Sequence, residues 1–359
     1  MNLKLFGINK SKVSIDFGSS RIKLVEGQFN RGKIDISKSL VFDLAEDMYR
    51  DGNVFEAIKI AEILKTNFKN LKISDGLGAT AVVNSSSIIT REVNIPMVAR
   101  DEIESIIEFQ LADFLPINPD DYVVNHLILG TRESEGVEQY RVMLIAIPKG
   151  TVLSHLELMR EADLKPEILD FQPNSIAKLL NSSTRLNDNY DIRGKTIACT
   201  DIGHASTSIS IVKEGLIEVT RSFELGVNSI HKNVSSLLDI SLDEAERRVN
   251  SIRNLNSEEE EFEDYDKIIN LTRMFLDNLM ENVQSVVRYY ISRSLDNKID
   301  LILLQGGYAN LNGICQVFSE NLNLDCLKLN SLDSVKFDGD LSLYANAIGG
   351  LIRRDEVKK

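Results

Sequence analysis

The chain has 359 residues, of which 43% are hydrophobic and 26% charged, with a net charge of −13. That balance is that of a soluble globular protein and not of a disordered or membrane-spanning chain, that length suggests two domains or two plus an insertion, and the acidity argues against wrapping nucleic acid. Cys199, Cys315 and Cys326 show no Cys-x-x-Cys spacing, residues 1–7 lack a secretory apolar run, and no stretch reaches the roughly 18 apolar residues of a membrane span, so a cytoplasmic chain is expected.

In chain order, Val13 and Ile15 alternate with polar neighbours as in a half-buried strand, which puts Asp16 at the strand end facing a turn. Gly18 lets backbone approach a ligand, and Ser19 and Ser20 add hydroxyls and N–H groups, so the turn can wrap an anion. Lys23, at an alternating position of the outgoing strand, is placed to neutralise phosphate charge. Residues 33–42 continue as a third strand after a turn at Asn30, Arg31 and Gly32. A helix capped by Asn53 should follow, with Phe55, Ile58, Ala61, Leu64 and Phe68 on one face, and residues 78–83 return a strand.

An insertion then begins near Asn84. A strand at 88–93 precedes a helix at 101–114, whose Ile103, Ile106, Ile107, Gln110, Leu111 and Phe114 face inward before Pro116 and Pro119 stop it. Strands at 122–129 and 140–147 and a second helix at 150–162 complete a compact α+β subdomain spanning about 84–165. Residues 164–170 form a strand leading to another helix. Its Asp170 and Gln172 point towards a cleft as candidates for orienting an attacking water, with no committed base. The polar run 181–194 is a linker.

Residues 196–212 repeat the opening grammar: strand, Asp201, Gly203, His204, Ala205, Ser206, second strand. Two such hairpins imply an internal duplication and, facing each other, clamp a polyphosphate. Asp16 and Asp201 would then hold Mg²⁺ mostly through water, and His204 would donate to a phosphate oxygen. A helix through residue 238, a capping box at Ser241, a solvated acidic run at 257–264 and a long helix to about 295 follow. The buried stripe of that long helix should comprise Ile269, Met274, Leu276, Leu279, Val283, Val286, Val287 and Tyr290. Finally an apolar strand at 299–304 runs into Gly306, Gly307 and Tyr308, where backbone can pass beneath a base or ribose. The four histidines have no zinc-site spacing, and neither a Walker sequence nor a Gly-x-Ser-x-Gly elbow is present.

This order of motifs resembles the actin, heat-shock chaperone and sugar-kinase ATPase superfamily. Within it, the stretches at 85–96, 106–116, 220–228, 242–248 and 344–349 resemble the PilM family of type IV pilus assembly, with similarity over nearly the whole chain. The resemblance implies an α/β, two-domain actin-like ATPase fold with an inserted α+β subdomain. Domain I would cover 1–180, with residues 340–359 returning to it, and domain II 181–339. It also implies ATP and Mg²⁺ as ligands, with Gly226 and Arg248 joining the nucleotide contacts, and slow or absent hydrolysis. The expected partners are the cytoplasmic N-terminal peptide of the inner-membrane protein PilN, docking at the insertion, and the pilus assembly complex at the membrane. Two departures stand out: Gln305 where the family usually has a small residue, and Asn310 where a basic one is expected. The alternatives are an FtsA-like division protein polymerising at the membrane, for which the C-terminal residues 351–359 are too poor in apolar side chains to make a convincing anchor, and a small-molecule kinase, which needs a catalytic base in the cleft.

Overall fold

The computed structural model describes residues 11–45, 47–74, 76–134, 136–252, 255 and 264–353. The expectations for residues 1–7, for most of the acidic run 257–264 and for 354–359 lie outside the described residues.

Strands β1 (Lys12–Phe17), β2 (Arg21–Asn30) and β3 (Lys33–Asp43) form an antiparallel meander. A two-residue hairpin, β4 (Tyr49–Arg50) with β5 (Asn53–Val54), follows. Asn53 is used there and does not cap the helix: α1 (Ala57–Leu71) begins after Glu56, with no side-chain cap. Phe55 lies ahead of the helix and Ile58 points about 160° away from Ile60 at 100° per residue, so both are exposed, while Ile60, Ala61, Leu64 and Phe68 form the buried face. Strand β6 (Gly78–Val83) returns parallel to β1.

The insertion follows as β7 (Ile89–Pro96), α2 (Ile103–Phe114), β8 (Tyr122–Ser134) and β9 (Val137–Pro148), its sheet ordered β7-β9-β8. Ile103, Ile107 and Leu111 of α2 pack on Val93, Ile95, Val142 and Leu144. Helix α3 (Lys149–Glu161) is not part of this small core. Its Leu158 and Met159 pack with Ile60, Leu64 and Val13 on the larger apolar face beneath the meander. Strand β10 (Lys165–Phe171) pairs parallel with β6 and leads into α4 (Gln172–Asn181).

After the small hairpin β11 (Arg185–Leu186) and β12 (Tyr190–Asp191), the second half repeats the first. Strands β13 (Thr196–Ile202), β14 (Thr207–Lys213) and β15 (Leu216–Phe223) form the meander. Helices α5 (Asn228–Leu238), α6 (Leu242–Asn250) and α7 (Tyr265–Ser292) cover it, and Ser241 caps α6 by accepting from the Glu244 N–H. Strand β16 (Leu301–Gln305), α8 (Ile314–Leu322), β17 (Cys326–Lys328), β18 (Val335–Lys336) and α9 (Leu341–Gly349) close the chain. The sheets read β10-β6-β1-β2-β3-β18 and β17-β16-β13-β14-β15, so each meander carries two parallel strands on the same side, and β18 is an addition to the first. The stripe of α7 is as expected except for Met274, which is exposed.

Helix α4 follows β10 and α9 follows β18, and the two pack on one another between the sheets, with Ile176, Leu179, Ala345 and Ile348 in one core with Val25 and Leu301. Gly349 permits the contact, since a Cβ there would lie 2.2 Å from the Ser175 carbonyl oxygen. The inserted sheet is tied to the second half by charge. Arg141 donates to Glu92 at 2.9 Å and to Glu218 at 2.5 Å, and Arg293 also pairs with Glu92. Burial works to raise the Glu92 pKa, but the hydrogen bonds from Arg141 and Arg293 outweigh it and hold the carboxyl below its ordinary value.

A second buried ion pair anchors α4. Lys178 Nζ lies 2.7 Å from Asp170 Oδ2 and donates to the Ile352 carbonyl at 2.5 Å, and both side chains are about 95% withdrawn from solvent. Asn174 and Ser175 donate to the same carboxylate at 2.6 and 3.0 Å. Burial raises the Asp170 pKa, but the Lys178 charge outweighs it and the net shift is downward. Stability from this pair is therefore present above the unfolded carboxylate pKa and lost as pH falls through the folded one. Lys178→Met, which strands the Asp170 charge, is expected to cost about 3–5 kcal/mol at neutral pH. Urea unfolding checks this, and the loss should shrink in acid, where Asp170 takes a proton.

Candidate functional site

Each meander contributes one tight turn to a cavity of about 1010 Å³ between the halves, a size suited to a small-molecule ligand. The turns are built alike. The Gly18 N–H donates to the Arg21 carbonyl at 3.1 Å, and the Gly203 N–H donates to the Ser206 carbonyl at 3.0 Å. In both, a Cβ on the glycine would meet that carbonyl oxygen at 2.7 Å, so the turn closes only around glycine. Among the described residues, the N–H groups of Ser19, Ser20 and Ala205 meet no protein acceptor, leaving donors for an anion. The second turn rests on the start of α5, where Val227 and Asn228 donate to the Gly203 and His204 carbonyls at 3.1 and 2.9 Å.

Asp16 and Asp201 end equivalent strands and line the cavity. Asp16 Oδ2 lies 3.3 Å from Lys23 Nζ, and its Oδ1 accepts from Gln172 Nε2 at 2.8 Å. Among the described residues no such cation contacts Asp201: its Oδ2 accepts from Asn346 at 2.6 Å and from Gln305 at 3.1 Å, both neutral amides. The strand position paired with Asp201 is Ser208, where the first half pairs Lys23 with Asp16. Withdrawal from water raises the Asp201 pKa, the Asp16 charge raises it further, and the amides together with the Lys23 charge oppose the rise. Two carboxylates in one cavity, one without a cation of its own, make a donor set that suits Mg²⁺. No group of three or more metal-ligating side chains gathers among the described residues, so such an ion would keep water and ligand oxygens in its shell.

The cavity is lined by Asp16, Gly18, Ser19, Ser20, Lys23, Gln172, Asp201, Gly203, His204, Ala205, Ser206, Gly306, Gly307 and Tyr308. Gly306 has φ +91°, and a Cβ there would lie 2.5 Å from Asp201 Oδ1, so it serves the local fold; at Gly307 a Cβ would make only an ordinary van der Waals contact, 3.9 Å from Leu343 Cδ1. Three expected residues sit elsewhere. Asp170 is buried on Lys178 and is not at the cleft. Gly226 packs beneath the second turn, where a Cβ would lie 2.2 Å from the His204 carbonyl oxygen. Arg248 is held by Glu244 at 2.9 Å and Asp264 at 3.6 Å. Asn310, in place of a basic residue, accepts from Lys328 at 2.5 Å and donates to Asp340 at 2.7 Å.

Sequence reading missed Asn346, Asn84 and Glu246, which also line the cavity. Asn84 bridges the halves, donating to Ser208 at 2.7 Å and accepting from Ser222 at 3.2 Å. Asn346 carried a usable signal, being a polar residue inside an apolar helix. His231, buried on α5, has its ring 6.1 Å from His204, and burial holds its pKa below the ordinary value.

Residues 14–345 match the family described as type IV pilus assembly protein PilM. The fold is that of a solved PilM-PilN type IV pilus biogenesis complex, with a TM-score of 0.79 at 19% identity over 98% of this chain and 100% of that one. It is shared with the ethanolamine utilization protein EutJ from Carboxydothermus hydrogenoformans, with a TM-score of 0.59, 15% identity and coverage of 95% and 89%. MreB 5 of Spiroplasma citri bound to AMPPNP has a TM-score of 0.54 at 12% identity, with coverage of 95% and 94%. Cell division protein FtsA of Bacillus subtilis (strain 168) is 24% identical over 266 residues, a match spanning 67% of this chain but 57% of that protein. No helix among the described residues is long and apolar enough to cross a membrane. With the family match running through both duplicated halves, the chain belongs to the PilM family of type IV pilus assembly proteins and has the actin-like ATPase fold.

Proposed function

We propose that this chain is a cytoplasmic nucleotide-binding scaffold of the pilus machine, taking ATP with Mg²⁺ in the cleft and the N-terminal segment of a PilN-like membrane protein at the insertion. That partner holds it at the inner face of the cell membrane. In this reading, the described residues up to 180 with 340–353 form one domain and those of 181–339 the other, except that β18 (Val335–Lys336) adds to the first domain's sheet. The observation that carries it is the matched pair of glycine turns, each with an aspartate at its strand end, facing one cavity. Turn N–H groups and Lys23 meet phosphates, Asp16 and Asp201 face the metal shell, and Gly307 lies beneath the nucleoside. Turnover is slow or absent, because Asp170 is committed to Lys178 and the Gln172 amide to Asp16.

The peptide reading draws support from the edges of the small sheet and from α2, whose Phe109 is 89% exposed. A short segment pairing along β7 would gain backbone hydrogen bonds and lay apolar side chains against that helix. Since α3 belongs to the first sheet's core, a point substitution on α2 tests docking more cleanly than replacing residues 85–165.

Calorimetry with ATP and Mg²⁺ is the direct test of the cleft. Gly307→Val, which the fold accommodates, is expected to weaken binding about tenfold or more by filling the base site; no binding by the unaltered chain would sink the nucleotide reading. Asp201 makes a second expectation. Its raised pKa means the folded state favours the protonated form, a contribution full below the unfolded pKa and lost as pH rises through the folded one. Asp201→Asn should therefore raise the ligand-free melting temperature at neutral pH by about 2 °C, with the gain fading in acid, while abolishing the Mg²⁺ dependence of ATP binding. For the partner, fluorescence anisotropy with the PilN N-terminal peptide should show Phe109→Asp losing about tenfold in affinity. Unchanged affinity would place the peptide elsewhere.

A further inference from the structure

Gln305 ends β16 and is 2% exposed. Its Nε2 donates to Asp201 Oδ2 at 3.1 Å and to Asn346 Oδ1 at 3.2 Å, and Asn346 Nδ2 donates to the same Asp201 oxygen at 2.6 Å. The direction of the glutamine amide follows from its partners: a carboxylate oxygen and an amide oxygen both accept, so the nitrogen must face them. The cost is visible in the buried Gln305 Oε1, which has no partner among the described residues. One Asp201 oxygen is thus held by two N–H groups from two different elements, β16 and α9. The other, Oδ1, accepts no hydrogen bond among the described residues and lies against Gly306, where a Cβ would sit 2.5 Å from it. Rotating this carboxylate would break both amide bonds at once. Neither donor carries charge, so the carboxylate is oriented without being neutralised, whereas Asp16 has Lys23 at 3.3 Å.

We infer that Gln305 and Asn346 form an amide clamp that orients Asp201 so that its Oδ1 faces the cation of a bound Mg²⁺–ATP complex, which makes Gln305 a positioning residue for the metal. This rests on the nucleotide reading above and adds to it the reason a long polar side chain occupies this strand end. The clamp acts on the metal, so it should alter the tightening of ATP binding by Mg²⁺ and leave metal-free binding alone.

The experiment is a calorimetric titration of ATP into the full chain, once with excess Mg²⁺ and once with EDTA, for the unaltered protein, Gln305→Leu and Gln305→Met. Both substitutions keep the side-chain volume and remove the donor, so one serves if the other fails to fold. The expected result is a Mg²⁺-induced gain in affinity reduced about tenfold in the variants, with metal-free affinity within about twofold of the unaltered chain. A full Mg²⁺ gain in either variant overturns the clamp. So does an equal loss with and without Mg²⁺, which marks a packing effect. An unaltered chain that binds no ATP overturns the nucleotide reading and the clamp with it, and is recognised without any variant.

Discussion

The constraint on which the site depends is the presence of two carboxylates, Asp16 and Asp201, at equivalent strand ends facing a single cavity. Like charges sharing a poorly solvated space disfavour each other's ionisation, and the Asp201 carboxyl registers this as an upward shift. The chain answers the two charges differently: Lys23 stands beside Asp16, whereas Asp201 meets only amides. Among the described residues the cavity is thereby left with one carboxyl group that no cation contacts, beside two turns whose Ser19, Ser20 and Ala205 N–H groups meet no protein acceptor and favour anions. A ligand that brings both a cation and a polyanion satisfies both demands, and neither half alone presents them together.

The internal duplication gives that arrangement its rigidity. Because each half is a meander with two parallel strands on the same side, the two turns emerge from the same place in each sheet. Helices α4 and α9 meet at the small side chains around Ser175 and Gly349. Both helices also reach into the site, α4 through Gln172 on Asp16 and α9 through Asn346 on Asp201. A change in their packing would therefore reach both carboxylates. At the far side, the Glu92, Arg141, Glu218 and Arg293 cluster ties the inserted sheet to β15, and β15 is hydrogen-bonded to the strand that leaves the second turn. That strand pair lies between the insertion and the cleft.

Much of this was legible in the residues because it is written locally. Alternation of apolar residues, the glycines of the two turns and the apolar run before Gly306 are short-range signals, each set by strand period or by a backbone that excludes Cβ. Where local reading went astray, a tertiary partner was the cause. Asn53 looks like a helix cap but is taken by a hairpin, so Phe55 precedes α1, and Ile58 falls off the face that Ile60, Leu64 and Phe68 bury. The stripe of α3 is equally apolar wherever it packs, and the larger sheet captures it. Asp170 reads as a cleft residue from its strand position, yet Lys178, two turns along α4, draws its carboxylate into the core.

By itself, then, the sequence determined the α/β class, the duplicated meander, the inserted α+β unit and the family, because periodicity, turn chemistry and motif order are properties of neighbouring residues. Only the tertiary structure decided which polar groups share a space. The Asp201, Gln305 and Asn346 cluster joins positions 104 and 41 residues apart in the chain, and the Asn84 bridge to Ser208 spans 124. Such encounters depend on how two sheets and two helices stack, and that packing is set by the summed shape of the core, for which no short stretch carries a signal.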